Sequence, residues 1–142
     1  MILVRSRLTD GLIDGTYSAN TEDLLTAQLV PDDPTYGYLM SDTELGAQEL
    51  AERYAVVDGA LQAKALIIIV ADPLQFQADG IDACLISVEP IIACTLRVNG
   101  VARALTMADP ILALTSDSPQ TFVVTLEPMA THWAEPLTLE AI

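Results

Sequence analysis

The pattern of apolar and polar positions changes near residue 65. After this point, apolar or alternating segments recur about every eight to twelve residues, which is the spacing of strands in an antiparallel β-protein. Turn residues such as Asp79-Gly80, Asn99-Gly100 and Asp109-Pro110 separate these segments. No segment in this part shows the period of an amphipathic helix. The pattern predicts seven strands, at residues 66–70, 81–88, 92–98, 101–106, 111–115, 120–126 and 136–141.

Alternation within these segments predicts which side chains face a core. In the second segment, Cys84, Ile86 and Val88 fall on one face and Ser87 on the other. The further inward positions are Cys94, Leu96, Val98, Phe122, Val124 and Leu126, and the further outward positions are Thr95, Arg97, Thr121 and Thr125. Seven short strands in about 75 residues are typical of an immunoglobulin-like β-sandwich. The sequence therefore predicts a mostly β protein with a seven-stranded immunoglobulin-like β-sandwich over residues 66–142.

Residues 1–65 mix strand-like and helix-like pieces, and they predict a small α/β segment that precedes the sandwich. Asp10-Gly11 and Asp58-Gly59 each lie between two apolar stretches. Because Asp-Gly adopts positive φ cheaply, each dipeptide predicts the tip of a β-hairpin. The chain is thus expected to have two parts, an interaction or attachment segment at 1–65 and the sandwich at 66–142.

Two helices are predicted in this first part. Asn20 or Thr21 is suited to cap a short helix that ends at the Pro and Asp residues of 31–34. The second helix is predicted over 41–54, where Ser41 and Glu44 form a capping-box pattern. Its apolar face is formed by Leu45, Ala47, Leu50, Ala51 and Tyr54.

The charge balance limits the classes of partner that the chain is expected to bind. The chain has 20 acidic and six basic residues, for a net charge of −14. Nucleic acid and anionic membranes repel such a surface, since phosphate binding needs clustered Lys and Arg. No apolar run approaches the length that spans a bilayer, so membrane insertion is not expected, and the N-terminus predicts synthesis in the cytoplasm. The apolar fraction of 51% fits a subunit that buries surface against other proteins.

Few residues of the sequence suggest a catalytic or metal-binding site. Asp79 and Asp82 flank Gly80 and could belong to a calcium loop, a carboxylate pair or a turn; the spacing favours the turn. The single His132 has no accompanying nucleophile in a recognisable catalytic motif and no further metal ligands at suitable spacing. We therefore expect no catalytic residues, no metal, no cofactor and no enzyme activity. Cys84 and Cys94 are expected to be buried thiols, and a bridge would need Cα atoms within about 7 Å.

Aromatic residues supply the candidate interface positions. His132 is expected in a loop, with Trp133 covering one end of the sandwich or meeting a partner. Trp and Tyr are favoured in the buried centres of protein interfaces. Trp133, Tyr36 and Tyr38 are therefore the predicted interface residues.

The stretch IIIVADPLQFQADGIDACLISV (67–88) resembles the opening strands of bacterial immunoglobulin-like domains of the invasin and adhesin kind. The matching residues are Ala78, Asp79, Gly80, Asp82, Cys84 in place of the usual alanine, Ile86 and Val88. Segments 97–100, 111–119, 122–128 and 137–141 resemble later strands of the same module. Such modules occur in surface adhesins and in virion proteins of tailed phages. The hairpin at 54–65, with the segment before it, is similar to small proteins encoded beside phage tail-fibre genes.

The resemblance implies a non-enzymatic phage virion protein of the tail, baseplate or fibre-attachment region. It would be made in the host cytoplasm, be oligomeric in the particle, and dock tail or fibre subunits. Three alternatives remain: a capsid decoration protein, a tail-fibre assembly chaperone, and a carbohydrate-binding module that uses exposed aromatic side chains.

Overall fold

The computed structural model describes residues 2–18, 35–41 and 45–142. Within them the protein is mostly β, with several sheets and one short helix. The predicted helix at 20–30 lies outside the described residues. The elements are β1 (Ile2–Arg7), β2 (Ile13–Ser18), β3 (Tyr36–Ser41), α1 (Ala47–Arg53), β4 (Tyr54–Val57), β5 (Ala60–Ala63), β6 (Ala65–Leu66), β7 (Ile68–Asp72), β8 (Gln75–Phe76), β9 (Ala83–Glu89), β10 (Cys94–Val98), β11 (Val101–Leu105), β12 (Leu112–Thr115), β13 (Gln120–Leu126), β14 (His132–Trp133) and β15 (Leu137–Ala141).

The chain divides into two compact units. The first unit contains Met1–Ala65 and Pro128–Trp133, and the second contains Leu66–Glu127 and Ala134–Ile142. The pairing of β1 with β2 and with β3 makes an antiparallel sheet of order β2-β1-β3 in the first unit. The strands β4 and β5 form a separate hairpin.

Both predicted hairpins of the first unit are confirmed. The strands β1 and β2 are joined through Asp10-Gly11, and the Asp10 carboxylate accepts a hydrogen bond from the Leu12 amide at 3.0 Å. At the tip of the β4–β5 hairpin, Asp58 and Gly59 have φ angles of 51° and 76°. A two-residue turn of this type needs positive φ at both central residues, which Asp-Gly tolerates.

The start of the predicted 41–54 helix is wrong. Ser41 is the last residue of β3, opposite Ile2 of β1, and α1 begins only at Ala47, with Gly46 before it and no side-chain cap. The capping-box interpretation of Ser41 and Glu44 therefore fails, because strand pairing to β1 prevails over the local helix signal. The predicted apolar face of the helix is confirmed in part, because Leu50 is fully buried and packs with Ile2 and Val4.

The second unit contains two sheets. One has the order β11-β10-β13-β15-β8, and the other has the order β12-β9-β7. All pairs are antiparallel except β8 with β15, which is parallel. Each of the seven segments predicted as strands overlaps a strand. The two-residue strand β8 was not predicted.

Buried residues of both sheets form a single cluster in the second unit. It includes Cys84, Ile86 and Val88 of β9, and Leu96 and Val98 of β10, as alternation predicted. The Phe76 and Phe122 rings stack within it, with centroids 6.2 Å apart. Cys94 and Leu126, also predicted to face inward, are only partly buried against this cluster because each lies at a strand end.

Candidate functional site

The two tyrosines predicted as interface residues lie on one face of the first unit's β2-β1-β3 sheet. Tyr36 pairs with Arg7 across the β1–β3 ladder, and Tyr38 pairs with Arg5. Alternation puts these four residues on the face turned away from Val4, which packs with Leu50 of the helix. Both tyrosines are half-buried. The structure thus combines tyrosine with arginine, two residue types that are enriched in interface hot spots.

Arg5 is held in place on this face by two contacts. Its Nε donates to Asp14 Oδ1 at 2.8 Å, and its guanidinium lies 4.5 Å from the centre of the Tyr36 ring. Gly15, opposite Arg5 in the ladder, makes room for this side chain: a Cβ there would lie 3.1 Å from Arg5 Nε. The hydrogen bond with Asp14 raises the pKa of Arg5 above its ordinary value. Arg5 is therefore a fixed cation that covers one side of the Tyr36 ring.

Arg7 and Asp10 form a second ion pair beside the first hairpin turn. Burial alone would raise the pKa of Asp10, but hydrogen bonds from Arg7 and from the Leu12 amide outweigh it and lower the pKa. Arg7 and Tyr38 also line a cleft of about 280 Å³, together with residues of the two hairpin turns such as Gly11 and Gly59. Tyr38 is thus the aromatic candidate that borders a concave surface.

Trp133 lies elsewhere in the first unit. Strand β14 positions it, and the Arg53 guanidinium of α1 sits 4.3 Å from the centre of its ring. Arg53 in turn pairs with Glu49 one helical turn earlier, at 3.4 Å. His132 lies in β14 rather than in a loop, and its Nδ1 is 2.8 Å from the Thr131 hydroxyl. The structure therefore does not bring Trp133 to the face that carries Tyr36 and Tyr38.

The carboxylates of Asp79 and Asp82 are used to build a turn. Asp79 Oδ1 accepts from the amides of Ile81 and Asp82, each at 2.8 Å. Asp82 Oδ2 accepts from the Gln77 amide at 2.9 Å, and Gly80 has a φ of 76°. The hydrogen bonds from the Asp82 and Ile81 amides lower the pKa of Asp79. The turn interpretation is confirmed, since both side chains satisfy backbone donors of the loop.

Both cysteines are free thiols in the second unit. Cys84 has no exposed surface, and Cys94 is partly buried. Burial raises the pKa of both thiols, so each is further from its reactive thiolate form at neutral pH.

A surface of the second unit that the sequence did not reveal is the outer face of the β12-β9-β7 sheet. Its apolar side chains are Ile68 and Val70 of β7, Leu85 of β9 and Ala113 of β12, with Ile111 directly before β12. The polar Ser87 of β9 lies among them, opposite Val70. Ile68, Leu85 and Ile111 are 57%, 49% and 52% exposed. The sequence carried a signal for it, because 66–71 is continuously apolar instead of alternating, which is typical of a strand covered on both faces.

A concavity of about 580 Å³ lies between the edge strands β11 and β12, with Arg103 of β11 on its wall and Phe122 at its base. Arg103 pairs with the buried Leu96, so it lies on the core-facing side of an edge strand. Inward-pointing charges on edge strands oppose the addition of another strand.

Over residues 2–18, 35–41 and 45–142, no three His, Cys, Asp or Glu side chains are placed to hold a metal ion. In the same residues no helix is long and apolar enough to cross a membrane. Comparison of the chain with protein-family models, with curated proteins and with solved structures finds no match.

Proposed function

We propose that this protein is a non-enzymatic structural protein of a tailed-phage particle, a component of the tail, baseplate or fibre-attachment region that docks other subunits. In this proposal it is made in the host cytoplasm and is present in several copies in the particle. Its second unit is an immunoglobulin-like β-sandwich that supplies the docking surface. The sequence resemblance of residues 67–88 supports the virion setting.

The distribution of strands supports the immunoglobulin-like part of the proposal. Of the seven predicted strands, the first, second and fifth (β7, β9, β12) lie in one sheet. The third, sixth and seventh (β10, β13, β15) lie in the other. An immunoglobulin fold divides its strands in the same way, with A, B and E opposite C, F and G. The fourth, β11, joins β10, as the extra strands of variable-type domains do.

One observation carries the docking function: the exposed apolar outer face of the β12-β9-β7 sheet. An antiparallel sheet in water is expected to alternate between an apolar inner face and a polar outer face. Here Ile68 and Leu85 are about half exposed on the outer face. Contiguous apolar surface of this kind marks sites where a protein contacts another molecule.

The test is mass spectrometry of particles purified by density gradient from the phage that encodes this chain. We expect its peptides at a constant ratio to those of known tail proteins through successive gradient steps. A chain that is abundant in infected cells but absent from purified particles would contradict the proposal. Peptides that are lost progressively during purification would contradict it too.

A further inference from the structure

The outer sheet face of the second unit continues into a cleft. The sheet face presents the apolar side chains Ile68, Val70, Leu85, Ile111 and Ala113, with the polar Ser87 of the central strand β9 opposite Val70. Beside it, a cleft of about 240 Å³ is lined by Leu66–Ile69 and Glu135–Leu137. Ile68 belongs to both, so the apolar face and the cleft form one continuous surface.

The cleft is suited to hold an apolar anchor. Its lining is apolar except for Glu135, and Leu66 and Ile68 at its mouth are 52% and 57% exposed. Hot spots in protein interfaces commonly consist of one large side chain that fills a dry pocket, surrounded by flatter contacts. The cleft and the sheet face have this division, with a pocket at one side and a flat apolar area next to it.

Two carboxylates stand among these apolar positions. Glu89 pairs with Ile68 across the β7–β9 ladder, and Asp72 pairs with Leu85, so both acids lie on the sheet face. The chain has six basic residues, and none is on β7, β9 or β12. Arg97 and Arg103 are on β10 and β11 of the other sheet, and the remaining four belong to the first unit. The sheet face therefore carries apolar side chains around Ser87, and the charged side chains of its three strands are acidic.

We propose that the sheet face and cleft bind a protein surface of complementary chemistry: one large apolar side chain for the cleft, flanked by Lys for Asp72 and Glu89. A second copy of this chain does not fit. Two copies meeting through this face would place like carboxylates close together, and each copy has a net charge of −14. The inference rests on the docking role proposed above, and it names the surface and the partner's chemistry.

The experiment uses zero-length cross-linking of the tagged full chain in a fresh lysate of the cells that produce it. A water-soluble carbodiimide activates a carboxylate, a neighbouring lysine amine displaces the urea, and an amide bond joins the two residues. Mass spectrometry then identifies both partners of each bond. We expect bonds from Asp72 and Glu89 to lysines of a different protein, next to an apolar side chain of that protein. Their yield should fall as NaCl is raised before cross-linking, because salt screens the attraction.

Two matched variants keep the test specific. Leu85→Glu adds a charge to the sheet face, and Val123→Glu adds one to β13 on the other sheet, where Val123 is 43% exposed against 49% for Leu85. Both sites are exposed, so both variants should keep the wild-type melting temperature within a few degrees. We expect L85E to lose the cross-links by roughly tenfold or more and V123E to retain them.

The outcomes separate this inference from the proposed function. Bonds between two copies of the chain, equal loss in both variants, or no bond from Asp72 or Glu89 would overturn the inference, whether or not the chain is found in particles. Bonds that follow the expected pattern but join a host protein with no place in the particle would support the inference and contradict the virion role.

Discussion

The two units of this protein are stabilised in different ways. Among the described residues, the core of the second unit has 13 buried apolar residues drawn from both of its sheets. The comparable cluster of the first unit has four, around Leu50 of the helix. The first unit also contains individual polar contacts, such as Arg5 with Asp14 and Lys64 with the Ala51 carbonyl. We infer that substitutions in the second unit act through packing and those in the first through individual backbone and charge contacts.

The chain carries a separate probe for each unit. Trp133 is the single tryptophan of the sequence and belongs to the first unit, so its fluorescence reports unfolding of that unit. Both cysteines of the sequence belong to the second unit. Since Cys84 has no exposed surface, its labelling by a thiol reagent reports opening of the second unit. Each prediction can therefore be assigned to one unit.

The largest effect is expected in the second core. Ile86 is fully buried between its neighbours on β7 and β12, so Ile86→Ala should lower the free energy of unfolding by roughly 2–5 kcal/mol. Denaturant titration followed by Cys84 labelling measures this change. Leu85→Ala, one residue away and half exposed, is the control and should cost far less. Equal losses in the two variants would show that the inward and outward assignment of β9 is wrong.

The second largest loss of stability is expected in the first unit, where the backbone of Gly11 lies close to that of Val56. Gly11 has a φ of +74°, and a Cβ there would lie 2.1 Å from the Val56 carbonyl oxygen. Gly59 has a similar φ of +76° but open space around it. Gly59→Ala should cost about 1 kcal/mol, the usual penalty for positive φ, whereas Gly11→Ala should cost more than about 2 kcal/mol. Denaturant titration followed by Trp133 fluorescence measures both.

This pair also tests how β4 is held. The Val56 amide donates to the Gly11 carbonyl at 2.9 Å, so any shift of Gly11 disturbs that bond. If G11A and G59A lost the same stability, the close approach of the first hairpin turn to β4 would be incorrect.

A pH effect should follow from Lys64. Its Nζ donates to the Ala51 carbonyl at 3.2 Å near the end of α1, and burial lowers its pKa from the ordinary value of 10.5. Between the lowered pKa and 10.5 the unfolded chain binds more protons than the folded one, so the first unit should gain stability as pH rises through this window. Lys64→Met should remove that gain. A Trp133-monitored stability curve that rises equally in wild type and K64M would contradict the assignment.

The smallest effect is expected at the Asp79 turn. Its lowered pKa means that the ionised form stabilises the folded state above the ordinary value of 3.8, and that this contribution is lost as pH falls through the folded pKa. Asp79→Asn keeps an acceptor for the Ile81 and Asp82 amides but cannot titrate. Wild type should therefore lose stability more steeply than D79N below that pH, as read by Cys84 labelling. Parallel curves would contradict the prediction.

The second unit was the more predictable from sequence, for a physical reason. Strand alternation and turn residues are local signals, and here they agree with the packing: Ile86 and Val88 face the core, and Asn99-Gly100 turns with φ angles of 48° and 81°. The face that docking would use was not predicted, since whether an apolar run is covered depends on what else packs there. Residues 66–71 are continuously apolar, yet Ile68 is exposed.

In the first unit, distant contacts override local signals. Ser41 carries a good helix-capping pattern but pairs with Ile2, which is 39 residues away. The ring of Trp133 likewise contacts Arg53, which is 80 residues away in the chain. Neither contact can be predicted from the residues that surround it in the sequence. The local signals of this unit that agree with the structure are the turn dipeptides Asp10-Gly11 and Asp58-Gly59, each of which lies in a hairpin turn.

The most direct test of the docking role is a cryo-electron reconstruction of the phage particle at a resolution that shows side chains. We expect density for this chain with the β12-β9-β7 sheet against another protein, an apolar side chain in the cleft between Leu66 and Pro136, and Lys beside Asp72 and Glu89. A particle in which this sheet faces solvent, with the chain attached through another surface, would contradict it.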